Sequence, residues 1–267
     1  MSKLLTEELI QLEAELKQLK KELFVEMITE GVDDPGILKC IFLAGGPGSG
    51  KSFTANEIFG VGKGAFNSVS AGGLKIVNSD TAFENALKKN GISPKELGTI
   101  DKDSDLWDTI AGEENPDSIR NKAKRLTQQQ QAFYEAGRLG MIIDGTGDEV
   151  TKIKKKVERA EALGYDCYMV FVNTSLEVAK ARNSKRDRTL PEDLVTQIWK
   201  ACQENLGKFQ TLFSGRFVIV DNTEYKPVAK SVQQQVDAFL RKPVYNQIGK
   251  KWIQTAKMLK NANLIKK

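Results

Sequence analysis

A chain of 267 residues with 40% apolar side chains can bury one large α/β core with appendages, and no apolar run approaches the roughly 20 residues that span a bilayer. The chain has no histidine, which excludes histidine general bases and histidine metal sites and leaves carboxylates, lysine, tyrosine and cysteine as proton acceptors. A net charge of +5 does not by itself argue for nucleic acid, and three cysteines, an odd number, suit a reducing compartment.

From Met1 the chain runs into a charged segment without an apolar signal core, so the expected location is cytoplasmic, with no membrane partner. Leu5, Leu9, Leu12, Leu16, Leu19 and Leu23 alternate spacings of four and three, which predicts an amphipathic helix within residues 1–30. Its seam is about three heptads long. Packing on the chain's own core and self-association through this helix both fit it. The breaker cluster from Glu30 to Gly36 ends that segment, and a main domain is expected over 37–240.

Within the main domain, apolar runs at Leu38–Ala44, Leu74–Asn78, Met141–Asp144, Cys167–Val172 and Arg216–Val220 alternate with helical patterns. The helices expected are Ser52–Phe59, Thr81–Asn90, Pro116–Leu139, Val150–Leu163, Leu176–Arg186, Pro191–Phe213 and Val228–Leu240. This alternation predicts an α/β fold, a five-stranded parallel sheet flanked by helices, with ligands along the edge formed by the strand C-termini. The stretches 60–73 and 91–114, rich in Gly, Ser, Asp and Lys, read as substrate-facing insertions more than core. Residues 241–267 contain eight lysines and arginines and no acidic residue, a basic C-terminal tail that either docks as a helix with Trp252 on the core or meets an acidic partner.

The first run is followed by Gly45-Gly46-Pro47-Gly48-Ser49-Gly50-Lys51-Ser52, the pattern G-x-x-x-x-G-K-[ST] of a phosphate-cradling P-loop. Glycines permit the backbone conformations that turn successive N–H groups inward around a phosphate at a helix start. Lys51 is placed to reach the β- and γ-phosphates of ATP, and the Ser52 hydroxyl to ligate Mg²⁺. Three further groups supply chemistry around it. Asp80, in Asn78-Ser79-Asp80 after the second run, is the general-base candidate, with capping of the next helix as its structural alternative. Asp144 ends the third run at a Walker-B-like position, a metal-side carboxylate or an ordinary Asp-Gly turn. Arg182, Arg186 and Arg188 follow the fourth run; the first two, four apart, share a helix face, Arg188 extends past the helix end, and all three could close over a triphosphate.

Together, Gly45 to Ser52, Asn78-Ser79-Asp80, Asp144-Gly145-Thr146 and the arginines 182, 186 and 188 resemble the zeta-toxin-like P-loop kinases, a family with many phage members, and the kinase half of polynucleotide kinases. The resemblance covers about Leu38 to Asn222. It implies that Lys51 binds phosphate, Asp80 is the base and the arginines hold ATP; a phage origin would make the location the host cytoplasm. Asn121-Lys122-Ala123-Lys124 lacks the aspartate of a guanine-specificity motif. The expected activity is an ATP- and Mg²⁺-dependent transfer of the γ-phosphoryl group to a hydroxyl of a small metabolite, such as a nucleotide sugar or nucleoside, or of nucleic acid. The alternative is a nucleotide-binding structural or assembly protein without turnover.

Overall fold

The sheet is built outward from β1 (Lys39–Ala44), whose six residues are all buried. In the computed structural model, which describes residues 31–61, 69–186, 188–224 and 226–262, β1 pairs on one side with β3 (Met141–Asp144) and on the other with β4 (Asp166–Asn173). β2 (Lys75–Val77) flanks β3 and β5 (Phe217–Asp221) flanks β4, giving the order β2-β3-β1-β4-β5 with every pair parallel. Continuous apolar runs such as Cys40-Ile41-Phe42-Leu43-Ala44 are what a strand covered on both faces requires. The leucine seam of 1–30 lies outside the described residues.

Alternation along β1 divides the core in two. Phe42 points to a face shared with Ile143, Met169, Phe171, Phe209 and Phe213, while Ile41 and Leu43 point to a face shared with Val170, Val172, Ala55, Phe59 and Val236. The first face is closed by α5 (Val150–Ala162) and α7 (Glu192–Phe213), the second by α1 (Lys51–Phe59) and α8 (Lys230–Arg241). Cys40, Cys167 and Cys202 are all buried free thiols, and burial pushes the Cys202 thiol up to about 12.

A third cluster, Phe83, Leu87, Leu97, Ile110, Ala111 and Ala123, shares no residue with either face. It joins α2 (Ser79–Lys89), a 3₁₀ turn at Glu96–Thr99, α3 (Asp105–Ala111) and α4 (Ile119–Ala136). The stretch 91–114, expected as a substrate-facing insertion more than core, therefore carries helix and contributes to a small core of its own with α2 and α4. Ser104, which accepts from Trp107 N, and Ser118, which accepts from Asn121 N, cap α3 and α4. The sequence reading missed α3 because it has only seven residues, too few for helical periodicity to register.

The basic tail docks through α9 (Gln247–Asn261). A buried ion pair, Lys39 Nζ to Asp166 at 2.8 Å, lies at the N-terminal edge of the sheet, and Asp166 also accepts from the backbone N–H groups of Tyr245 and Asn246, each at 3.0 Å. The Asn246 side chain caps α9 and donates to Glu161 O at 2.9 Å. A side chain at Gly249 would overlap the Gly164 carbonyl, so glycine is what lets α9 approach this closely.

α6 (Leu176–Asn183) stops three residues before Arg186. Asn183 is buried and exchanges two hydrogen bonds with the Leu190 backbone, donating to its carbonyl at 2.8 Å and accepting from its N–H at 3.1 Å. The clasp ties Leu190 back to the end of α6, and because the helix ends at Asn183, Arg182 and Arg186 do not share a helix face as the spacing had suggested.

Candidate functional site

The P-loop leaves β1 at the C-terminal edge of the sheet. Gly45, Gly48 and Gly50 have φ of 154°, 72° and 88°. A Cβ at Gly48 would overlap the Ala179 carbonyl of α6, and one at Gly50 would overlap the Asn222 side chain, so the loop is both left-handed and tightly backed. Two hydrogen bonds anchor it: Gly45 N donates to Thr146 O at 3.0 Å and Asn222 Nδ2 to Ser49 O at 2.7 Å. No side chain caps α1, whose N-cap is Gly50, so its first N–H groups and the positive end of its dipole stay available to an anion. Lys51 Nζ folds back over the loop and donates to Gly45 O at 2.6 Å, while Ser52 is exposed in the first turn. The Ser49 hydroxyl is buried without a hydrogen-bond partner.

Parallel pairing sets Asp144 opposite Leu43, two residues before the P-loop begins. Its Oδ2 accepts from Asn78 Nδ2 at 2.8 Å, while its Oδ1 is buried with no partner. Burial pushes the Asp144 carboxyl above the usual carboxylate range; Lys51 opposes the shift and Asp80 adds to it. Lys51, Asp80 and Asp144 are therefore electrostatic neighbours. Asn78 is the hinge of this arrangement, because its Oδ1 also accepts from Asp80 N at 2.8 Å and Thr81 N at 3.3 Å. Asn78 caps α2, and the Asp80 carboxylate is free of that task.

The three arginines have three different settings. Arg182 donates to Asn222 O at 2.7 Å and Thr223 O at 3.5 Å, bracing the segment after β5 that backs the P-loop. Arg186 is exposed, and its charge reaches Asp144. Arg188 approaches Asp80 Oδ1 at 3.6 Å. A fourth arginine, Arg120 in the first turn of α4, approaches the same oxygen at 3.5 Å, and both guanidiniums lie over the Phe83 ring, at 5.1 Å for Arg120 and 5.7 Å for Arg188.

Arg120, Asn78 and Asn222 were not singled out by sequence. Asn78 lies in the Asn78-Ser79-Asp80 segment, where the sequence alone offers Asp80 as the cap. No spacing links Arg120 to Asp80 or Asn222 to the P-loop, since each pair meets through tertiary contacts. Among the described residues no group of three or more His, Cys, Asp or Glu could hold a metal by itself. The unpartnered buried oxygen of Asp144 nevertheless fits a cation shared with a bound phosphate, the donor set through which Mg²⁺ is usually held.

A family model described as an AAA domain matches residues 40–209, a span that includes the P-loop, Asp80, Asp144 and all four arginines. No curated protein matches the chain in sequence. Among solved structures the chain is similar to a candidate kinase from Chloroflexus aurantiacus J-10-fl, at 12% identity over 75% of this chain and 97% of that one, with a TM-score of 0.47. It is also similar to a structure of the PezAT chromosomal toxin-antitoxin system of Streptococcus pneumoniae, at 18% identity over 85% and 87% with a TM-score of 0.44. A third similarity is to AvrRxo1-ORF1:-ORF2 with ATP, at 12% identity and a TM-score of 0.45, covering 81% of this chain and 66% of that one.

Proposed function

This chain belongs to the AAA domain family over residues 40–209, and from its P-loop and the carboxylates beside it we propose an ATP- and Mg²⁺-dependent kinase that phosphorylates a hydroxyl. The observation that carries the reading is the gathering of Lys51, Asp144 and Asp80 at the mouth of one glycine cradle. Asp144 ends β3, and Lys51 and Asp80 lie in the helix starts that follow β1 and β2, all on the strand C-terminal edge where ligands of open parallel sheets bind.

In this reading the N–H groups of Gly48 to Ser52 surround the triphosphate, and Lys51 exchanges its bond to Gly45 O for phosphate oxygens. Ser52 and Asp144 would hold Mg²⁺, which when bound neutralises charge on the β- and γ-phosphates. Asp80 takes the proton of the acceptor hydroxyl as its oxygen bonds to the γ-phosphorus; the bond to the β-bridging oxygen breaks and ADP leaves. Arg186 and Arg188 neutralise charge that develops in transfer, and Arg182 acts through the segment it braces. The acceptor is a small metabolite or a nucleic-acid hydroxyl. The proposed layout is a catalytic domain over 37–240 with a basic appendage from 241.

The test is mass spectrometry of a metabolite extract, with added oligonucleotides, incubated with the protein, ATP and Mg²⁺. A species that gains one phosphoryl mass with wild type and not with Lys51→Ala supports the kinase. ATP binding with no phosphorylated product from any acceptor would replace it with the nucleotide-binding assembly role.

A further inference from the structure

α4 carries its cations at one end. Arg120, Lys122, Lys124 and Arg125 fall in its first half, whereas from Leu126 to Ala136 the single charge is Glu135, which is buried and bonded to Arg159. The solvent-facing side of a helix on a globular domain is normally charged. Here Leu126 and Phe133 stand 58% and 68% exposed, with four glutamines, Gln128 to Gln131, between them. At roughly 3.6 residues per turn, Lys122, Leu126, Gln129, Gln130 and Phe133 share one face about 100° wide. Lys122 pairs with the exposed Asp117 at 3.5 Å, a contact that contributes little. Among the described residues, no other helix shows such a stripe. Leu106 and Leu194 stand alone on α3 and α7, and Ile248 and Met258, ten residues apart on α9, lie about 80° apart round it.

We propose that this face is the contact of a homodimer, in which α4 packs antiparallel on α4 of a second copy about a two-fold axis passing between Gln129 and Gln130. The face is complementary to itself in that arrangement. Reversal about the axis sets Leu126 of each copy on Phe133 of the other, Gln129 on Gln130, and Lys122 at the C-terminal end of the opposite helix. Each aliphatic side chain thus meets an aromatic one, twice. Glutamine amides both donate and accept, so the central pairs satisfy one another where a charge would be stranded. The two helix dipoles are opposed, which is favourable, and the cations of each copy meet a half of the partner helix that holds none. Parallel pairing would instead stack the cations of both copies. This symmetry is why a second copy, rather than an unrelated protein, is the occupant. The inference is independent of the kinase reading and of the leucine seam in 1–30.

The experiment is sedimentation equilibrium of the full chain over a range of concentrations, for wild type, Phe133→Glu, Phe133→Leu and Leu16→Glu. One helix face is a small interface, so wild type should dimerise with a dissociation constant on the order of 10–100 µM. Phe133→Glu should raise that constant about 100-fold or more, because each dimer loses two aromatic anchors and gains two unpaired charges; Phe133→Leu should stay near wild type, and Leu16→Glu should leave the dimer intact. A second measurement covers the case in which Phe133→Glu fails to fold. The three native cysteines are buried, so Gln130→Cys adds one accessible thiol near the axis in each copy. A short bis-maleimide should link that variant into dimers and leave Lys155→Cys, on α5, unlinked. Wild type that is monomeric up to about 500 µM overturns the proposal. So does a dimer that survives in Phe133→Glu or is lost in Leu16→Glu alone, or a Gln130→Cys variant that links no better than Lys155→Cys.

Discussion

Asp144 carries a buried oxygen that no protein donor satisfies, and desolvation raises its pKa against the pull of Lys51. A carboxyl whose folded pKa lies above its unfolded value binds more protons in the native state, so stability falls as pH rises from the unfolded value near 3.8 through the folded one and stays lowered above it. Asp144→Asn is therefore expected to raise the melting temperature of nucleotide-free protein at pH 7 by on the order of a few degrees and to abolish Mg²⁺-dependent stabilisation by ATP. A variant that melts lower than wild type, yet still responds to Mg²⁺ with ATP, would remove Asp144 from the metal side of the site. Asn222 makes a different kind of contribution: one side-chain donor fixes the Ser49 carbonyl, and its own carbonyl receives Arg182. Asn222→Ala leaves the loop free to relax, and ATP affinity measured by calorimetry should fall about 3- to 10-fold. Unchanged affinity would show that the glycine cradle needs no backing from β5.

At the scale of elements, the sheet and α9 are joined by one carboxylate. Asp166 satisfies the Lys39 ammonium and two backbone N–H groups at once, so its removal orphans three donors, whereas removal of Lys39 leaves Asp166 with two partners. Urea unfolding should rank Asp166→Ala as more damaging than Lys39→Met, with the first costing about 3–5 kcal/mol. Equal costs would mean that the ion pair alone, and not its backbone contacts, fastens the tail. Docking of α9 by Asn246, Gly249 and Trp252 favours the structural reading of the basic tail over the described residues. The five strands and the first turn of the P-loop helix were legible because β1 to β5 are apolar runs bounded by Gly, Asp and Asn. The end of α6 was not legible: nothing local to Asn183 announces that its side chain closes on Leu190 seven residues later.

For the whole molecule, the fold and its nucleotide edge follow from local patterns, since alternation of strand and helix dictates a parallel sheet and the P-loop marks its active edge. The P-loop phosphotransferase class read from those residues agrees with the family match over 40–209. What the sequence could not reveal was the company Asp80 keeps. Asp80, Arg120 and Arg188 are scattered through the chain and meet because the 79–136 helices form their own core beside the sheet. In the proposed mechanism this carboxylate is the base of phosphoryl transfer and has no part in holding ATP. The direct test is to measure, for wild type and Asp80→Asn, both the affinity for ATP with Mg²⁺ and the rate at which labelled γ-phosphate reaches the acceptor. The account predicts matched affinities and a transfer rate lower by about 10²- to 10⁴-fold in the variant; transfer at the wild-type rate by Asp80→Asn would contradict it.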